Sequence, residues 1–294
     1  MQDIFPIRRI DHIRHFVNNA RQSSYYYQQV FGFSITGFRG LETGSKDQAD
    51  YLLEQGDLKL VFSAPVRPGH PMAPKICEHG DFVQDIAFEV DDVDWAYKAA
   101  TGRGAISAYE PTTLEDDKGS VRIAGIRTYG DTIHTLINRD KFKGHFLPQF
   151  RPENQPGDSI GIVEVDHCVG NVELGKMNYW VKWYEDVLGF KNMVSFDDKD
   201  ISTDFTSLMS KVMASGNGRV KFPINEPAAG KKKSQIDEYL EFFGGPGVQH
   251  VALRTDDIIH TVTRLQTRGL EFLKAPRSYY DMLPDRVGKI DEDI

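Results

Sequence analysis

The chain has 294 residues, of which 40% are hydrophobic and 27% charged, the profile of a globular protein long enough for two cores. Its formal net charge of -8 argues against a nucleic-acid-binding surface, and no window approaches the roughly 18 apolar residues of a membrane span. Two distant cysteines, Cys77 and Cys168, argue against a disulfide framework, and the first ten residues, with Asp3, Arg8 and Arg9, lack a signal-peptide core, so a cytoplasmic setting is expected.

In chain order, Ile10-Asp11-His12 begins a strand, and Tyr26, Tyr27, Val30 and Phe31 mark one apolar face of a helix that closes on Gly32-Phe33. Residues 58–62 and 83–87 read as strands, residues 93–100 as a helix, and residues 131–139 as a further strand. Residues 146–158 carry Pro148, Pro152 and Pro156 with little periodicity, which predicts a linker. Beyond it, residues 160–169 form a strand. Trp180, Trp183, Tyr184, Val187 and Leu188 give a second helix with an aromatic face expected in the core, closing on Gly189-Phe190. Residues 219–222 and 248–253 are strands and residues 257–268 a helix; Lys231-Lys232-Lys233 is expected in a solvated loop.

The order of these elements repeats. Val165-Asp166-His167 answers Ile10-Asp11-His12, Gly189-Phe190 answers Gly32-Phe33, Phe222 answers Phe62, and Val248-Gln249-His250-Val251-Ala252 answers Val83-Gln84-Asp85-Ile86-Ala87. Four matches in order indicate a duplication with small loop insertions. The architecture is then two related α+β domains, each curling into a half-open barrel: residues 1–145, the linker 146–158, and residues 159–294.

Among nine histidines, His70, His79, His145 and His260 sit among prolines, glycines or charges and are expected to face solvent. His167 shares a strand face with Val163, Val165 and Val169, and His250 with Val248 and Ala252. A lone histidine on an apolar face is more often a hydrogen-bonded core residue than a ligand. Two of them, on the first and last strands of one repeat unit, point to a shared metal site, and burial would favour the neutral, ligating form. The first repeat keeps His12 but has Asp85 in place of the second histidine, so the working site is expected in the C-terminal half alone. No nucleophile elbow, phosphate-binding glycine loop or Cys-x-x-Cys motif occurs.

Val165-Asp166-His167, Pro223-Ile224-Asn225-Glu226-Pro227, Lys233-Ser234-Gln235-Ile236, Gly247-Val248-Gln249-His250 and Tyr279-Tyr280-Asp281-Met282-Leu283-Pro284 together resemble the successive motifs of the 4-hydroxyphenylpyruvate dioxygenase family. The resemblance spans essentially the whole chain. It implies the vicinal-oxygen-chelate, glyoxalase-like fold, in which tandem βαβββ repeats form the half-open barrels. It also implies a non-haem Fe(II) held by His167, His250 and a glutamate, with 4-hydroxyphenylpyruvate and dioxygen (O2) converted to homogentisate and CO2. Thr206, Asn225, Gln235 and Gln249 match the family's substrate-pocket positions, with threonine at 206 where serine is usual. Strand alternation would turn Gln249 away from His250, and Asn225 could instead be a turn residue. The family suggests a homodimer or homotetramer. Two alternatives stay open: a 4-hydroxymandelate synthase, favoured less by Asn225, and a ligand-sequestering protein of the same fold. Thr135, 50 residues after Asp85, occupies the third-ligand position in the first repeat. The glutamate is accordingly expected beyond residue 294 with the closing strand and covering helix, and the chain as given is expected to bind iron weakly and turn over little.

Overall fold

The computed structural model describes residues 4–196, 207–228 and 233–287. Strand β1 (Ile7–Phe16), helix α1 (Ala20–Gln29) and strands β2 (Ser34–Arg39), β3 (Gln48–Gln55) and β4 (Leu58–Pro65) make one βαβββ module. After α2 (Met72–His79) the module recurs as β5 (Phe82–Val90), α3 (Val93–Gly102), β6 (Ser107–Asp116), β7 (Gly119–Arg127) and β8 (Ile133–Asn138). Strand β9 (Arg151–Gln155) leads to the third copy: β10 (Ile162–Asn171), α4 (Met177–Leu188), β11 (Lys191–Phe196), β12 (Ser207–Ala214) and β13 (Lys221–Ala228). Helix α5 (Gln235–Phe243), β14 (Gly247–Thr255), α6 (Ile258–Thr267) and α7 (Arg277–Val287) follow.

The first sheet runs β6-β7-β8-β5-β1-β4-β3-β2-β9 and the second β11-β12-β13-β10-β14. Strand β1 lies antiparallel to β5 and parallel to β4, and β10 lies antiparallel to β14 and parallel to β13. The second sheet therefore repeats the inner part of the first. The pairing corrects one sequence match. His15 faces Phe62 across β1 and β4, whereas Gly170, the counterpart of His15, faces Ile224, so Phe62 corresponds to Ile224 rather than to Phe222.

Local chemistry explains the helix ends. Asn19, Asp92 and Asp257 accept from backbone N–H groups of Gln22, Trp95 and His260, and Ser234 and Asp237 form a capping box. At the other end, Gly32 (φ 73°) and Gly189 (φ 66°) adopt the left-handed conformation, and Phe33 and Phe190 then turn into the core. A side chain at Gly32 would also meet the Asp158 carbonyl oxygen at 2.0 Å.

The aromatic face of α4 is core, with Tyr184 fully buried. It also joins the halves. His134 Nδ1–H donates to the Ile86 carbonyl at 3.0 Å, which leaves Nε2 to accept from the Tyr184 hydroxyl at 2.8 Å. On α1, Tyr27, Val30 and Phe31 pack against the core as expected, beside the buried Ala20 and Ser24, but Tyr26 is exposed. Nor is residues 146–158 a free linker. Strand β9 pairs with β2, while Phe146, Leu147 and Phe150 are buried in a second cluster with Leu52 and Ile137. Arg139 holds this segment by donating from Nε to the Phe146 carbonyl at 2.7 Å and stacking 4.7 Å above its ring. Edge pairing and aromatic burial need no helical period, so the proline count misled. Likewise His79 is buried, not solvent-facing: its ring stacks on Phe243 at 4.2 Å and bonds the Phe243 carbonyl at 2.6 Å.

Candidate metal centre

Three register shifts between β10 and β14 position the site, and two of them matter for the chemistry. Val165 pairs with Leu253 and His167 with Ala252, leaving Asp166 as the extra residue of a bulge; Val169 pairs with His250 and Gly170 with Val248, leaving Gln249 as another. The same bulges occur in the first sheet, at Asp11 and Gln84. A bulge breaks side-chain alternation. Val165 consequently packs into the main core alongside Cys168, and His167 lies on the opposite face. The expectation that Val165 and His167 share a face is thus corrected.

His167 and His250 come together from neighbouring strands with ring centroids 5.7 Å apart and planes at 72°. His167 Nδ1–H donates to Asp166 Oδ2 at 2.6 Å, and Lys221 Nζ donates to Asp166 Oδ1 at 3.0 Å. These bonds to His167 and Lys221 hold the Asp166 carboxyl below its usual range. His250 Nδ1–H donates to the Gln249 side-chain oxygen at 2.7 Å. Gln249 is thus turned towards His250 rather than away, because it occupies the bulge. His167 is half-buried, but His250 is exposed, contrary to the burial expected of both. Partial desolvation and the neighbouring His167 lower the His250 pKa and favour its neutral form.

Each Nδ1 is committed to an acceptor, and neither Nε2 has a hydrogen-bond partner among the described residues. Two imidazoles with anchored Nδ1 atoms and open Nε2 atoms fit a divalent transition metal such as Fe(II), and the Asp166–His167 pair is the carboxylate–histidine arrangement that raises ligand basicity. Among the described residues no group of three or more histidines, cysteines or acids could hold a metal ion. Likewise no described strand lies beside β14 as β8 lies beside β5.

The remaining sequence candidates separate. Asn225 is buried and points away from the core face of Phe222 and Ile224; its amide donates to Asn171 Oδ1 at 3.4 Å. It is a strand residue, not a turn residue. Gln235 is exposed at the first position of α5. Thr206 lies outside the described residues, as do Lys231 and Lys232. Sequence reasoning missed Asp166, Lys221 and Asn171. The signal for Asp166 was present in the Asp-His pair that both repeats keep, but regular alternation hides it.

In the first repeat the equivalent positions are engaged in two hydrogen-bonded groups. His12 Nδ1–H donates to Asp11 at 2.6 Å, and Arg139 grips both oxygens of Asp11. Burial opposes ionisation of Asp11, but His12 and Arg139 outweigh it and hold the carboxyl below its usual range. Thr135 donates its N–H at 2.9 Å and its hydroxyl at 2.5 Å to the two oxygens of Asp85. Thr135, on β8, thus stands beside Asp85, on β5.

The fold and site define a class, the Glyoxalase/Bleomycin resistance protein/Dioxygenase superfamily, whose model matches residues 9–128 and 164–283. Within it, a 4-hydroxyphenylpyruvate dioxygenase from Yarrowia lipolytica is 46% identical over 96% of this chain and 74% of its own length. One from Aspergillus fumigatus is 44% identical over 95% and 74%, and one from Caenorhabditis elegans 41% over 97% and 75%. The chain belongs to the 4-hydroxyphenylpyruvate dioxygenase family. Among solved structures, a triple mutant of 4-hydroxymandelate synthase from Streptomyces coelicolor superposes with a TM-score of 0.85 at 27% identity, covering 95% of this chain and 80% of that one. No helix among the described residues is long and apolar enough to cross a membrane.

Proposed function

We propose that this chain is a dioxygenase that converts 4-hydroxyphenylpyruvate and O2 to homogentisate and CO2. His167 and His250, through Nε2, and a carboxylate outside the described residues would hold its Fe(II). The observation that carries this reading is the pair of facing imidazoles, each with Nδ1 anchored and Nε2 open, in a chain 41–46% identical to the curated relatives named above. Bound iron supplies the Lewis-acid and redox chemistry that joins dioxygen to a keto acid.

The chain's own residues prepare that chemistry. Asp166, steadied by Lys221, fixes the tautomer and ring plane of His167, and Gln249 does the same for His250. Asn225, on the His167 face and beside Asn171, orients the substrate, with Thr206, Gln235 and Gln249 as further contacts by their match to the family motifs. The substrate brings its own reducing equivalents, so no nicotinamide or second keto acid is needed. By the same family membership the subunit works in the cytoplasm as part of a homo-oligomer.

A second reading is supported by the fold of the Streptomyces synthase: the same metal and substrate, with hydroxylation at the benzylic carbon. Oxygen uptake by the iron-loaded protein with 4-hydroxyphenylpyruvate, followed by product chromatography, tests both. Homogentisate is the expected product. 4-Hydroxymandelate would establish the second reading, and substrate binding without oxygen uptake would make the protein a sequestering one.

A further inference from the structure

The half-barrel of the first repeat holds its own cavity of about 320 Å³, at the lower end of the ~300–1,000 Å³ common for small-molecule sites. One side of its lining is apolar, formed by Leu114, Ile123, Ile133, Ile137 and Leu147; the other carries polar and charged side chains, among them Arg14, Arg39, Gln48, Gln84 and Asp85. Tyr109 closes it from β6, its hydroxyl 2.6 Å from Thr135 Oγ, and this ring position requires glycine at 125, where a Cβ would meet the ring at 2.3 Å.

Two polar side chains lining the cavity have no bonds to account for them. Arg14 faces Asp85 across β1 and β5, yet it makes no hydrogen bond or ion pair with any described residue, and its Nε is buried without a partner. The nearby acids are already engaged. Both oxygens of Asp85 accept from Thr135, while Asp50 accepts from Ser63, Gln48 and Arg39. Gln84, the bulge residue, is also buried and makes no side-chain hydrogen bond among the described residues. A guanidinium stays charged and offers a planar fork of donors that matches a carboxylate.

We propose that this cavity is a second ligand site, which takes a small organic monocarboxylate with an apolar body: the carboxylate pairs with the Arg14 fork and the Gln84 amide, and the body lies against the isoleucine and leucine walls. The site is built at the first-repeat counterpart of the His167–His250 pair, but with His12, Asp85 and Thr135 tied to protein partners it binds without turnover. Burial also drives Asp85 towards its neutral form, against the opposing charges of His12 and Arg14, which reduces repulsion of an anion.

The test uses phenylacetate as probe, with phenylacetamide as its uncharged analogue, and follows isoleucine methyl NMR signals in the whole chain. Phenylacetate should shift the Ile123, Ile133 and Ile137 methyls saturably, and phenylacetamide should not. Arg14→Met should weaken binding at least tenfold and Arg14→Lys less. Because Arg14→Met could disturb the fold, Ile123→Trp, which narrows the cavity and leaves Arg14 in place, serves as a second variant and should also weaken binding at least tenfold. Methyls that do not respond, equal binding of the amide, or unchanged affinity in folded Arg14→Met and Ile123→Trp proteins would overturn the proposal.

Discussion

The two halves share a scaffold and even its irregularities, but they use it oppositely. In the first half His12 and Asp85 are 2% and 3% exposed, and Arg139 and Thr135 saturate the acids around them. In the second half the counterparts are a half-buried His167 and an exposed His250, whose Nε2 atoms meet no described partner. Bulges at Asp11 and Asp166 place a carboxylate behind each leading histidine alike. The halves therefore differ less in the leading histidine than in what stands opposite it: a buried Asp85 bonded by Thr135 in the first half, and a second histidine with an open Nε2 in the other.

If this contrast is right, removing His12 should damage the fold and spare the metal. His12→Ala leaves buried Asp11 without one of its partners, and breaking such a buried pair costs about 3 kcal/mol. Urea unfolding should show that loss with metal affinity unchanged, whereas His167→Ala should shift stability far less. A metal defect in a folded His12→Ala protein would break the comparison.

A second contrast concerns pH. Burial lowers the pKa of His134 to about 4 and of His15 to about 4, from an ordinary 6.5. Both are neutral in the fold, so their stabilisation is fully present above pH 6.5 and is lost as the pH falls through 4. Unfolding curves should show about 3 kcal/mol of loss per histidine across that window, and His134→Gln should flatten the slope. An identical slope in that variant would remove His134 from the account.

Smaller effects sharpen the picture of the second half. Lys221→Met frees Asp166 from its one lysine partner among the described residues and should weaken metal binding by roughly tenfold, the lower range for outer-shell partners, with Lys221→Arg restoring most of it. Gln249→Ala should do less, within about tenfold, since it removes an uncharged acceptor from an exposed histidine. Isothermal titration with Co(II) ranks the three variants, and an unaltered affinity in Lys221→Met would show that Asp166 needs no such support.

Much of this was legible in the sequence. The duplication, the helix faces and the glycine-phenylalanine closures follow from spacing, because each depends on neighbours within a few residues; the two histidines stood out through the repeat and the motifs, while the strand-face argument for His167 failed at a bulge. The bulges do not. Asp166 and Gln249 reach the histidines only because one strand carries an extra residue against its partner, a property of the pair that no single segment encodes. The ordering of residues 146–158 was hidden for a similar reason: Arg139 and the edge of β2 hold it from elsewhere in the chain.

The central claim is that His167 and His250 form the metal pair and His12 does not. Anaerobic Fe(II) titration of the parent chain, His167→Ala, His250→Ala and His12→Ala proteins tests it most directly. The account predicts a single ion bound by the parent and by His12→Ala with equal affinity, and loss of that binding in the other two. Parental affinity and stoichiometry in a folded His250→Ala protein would contradict it.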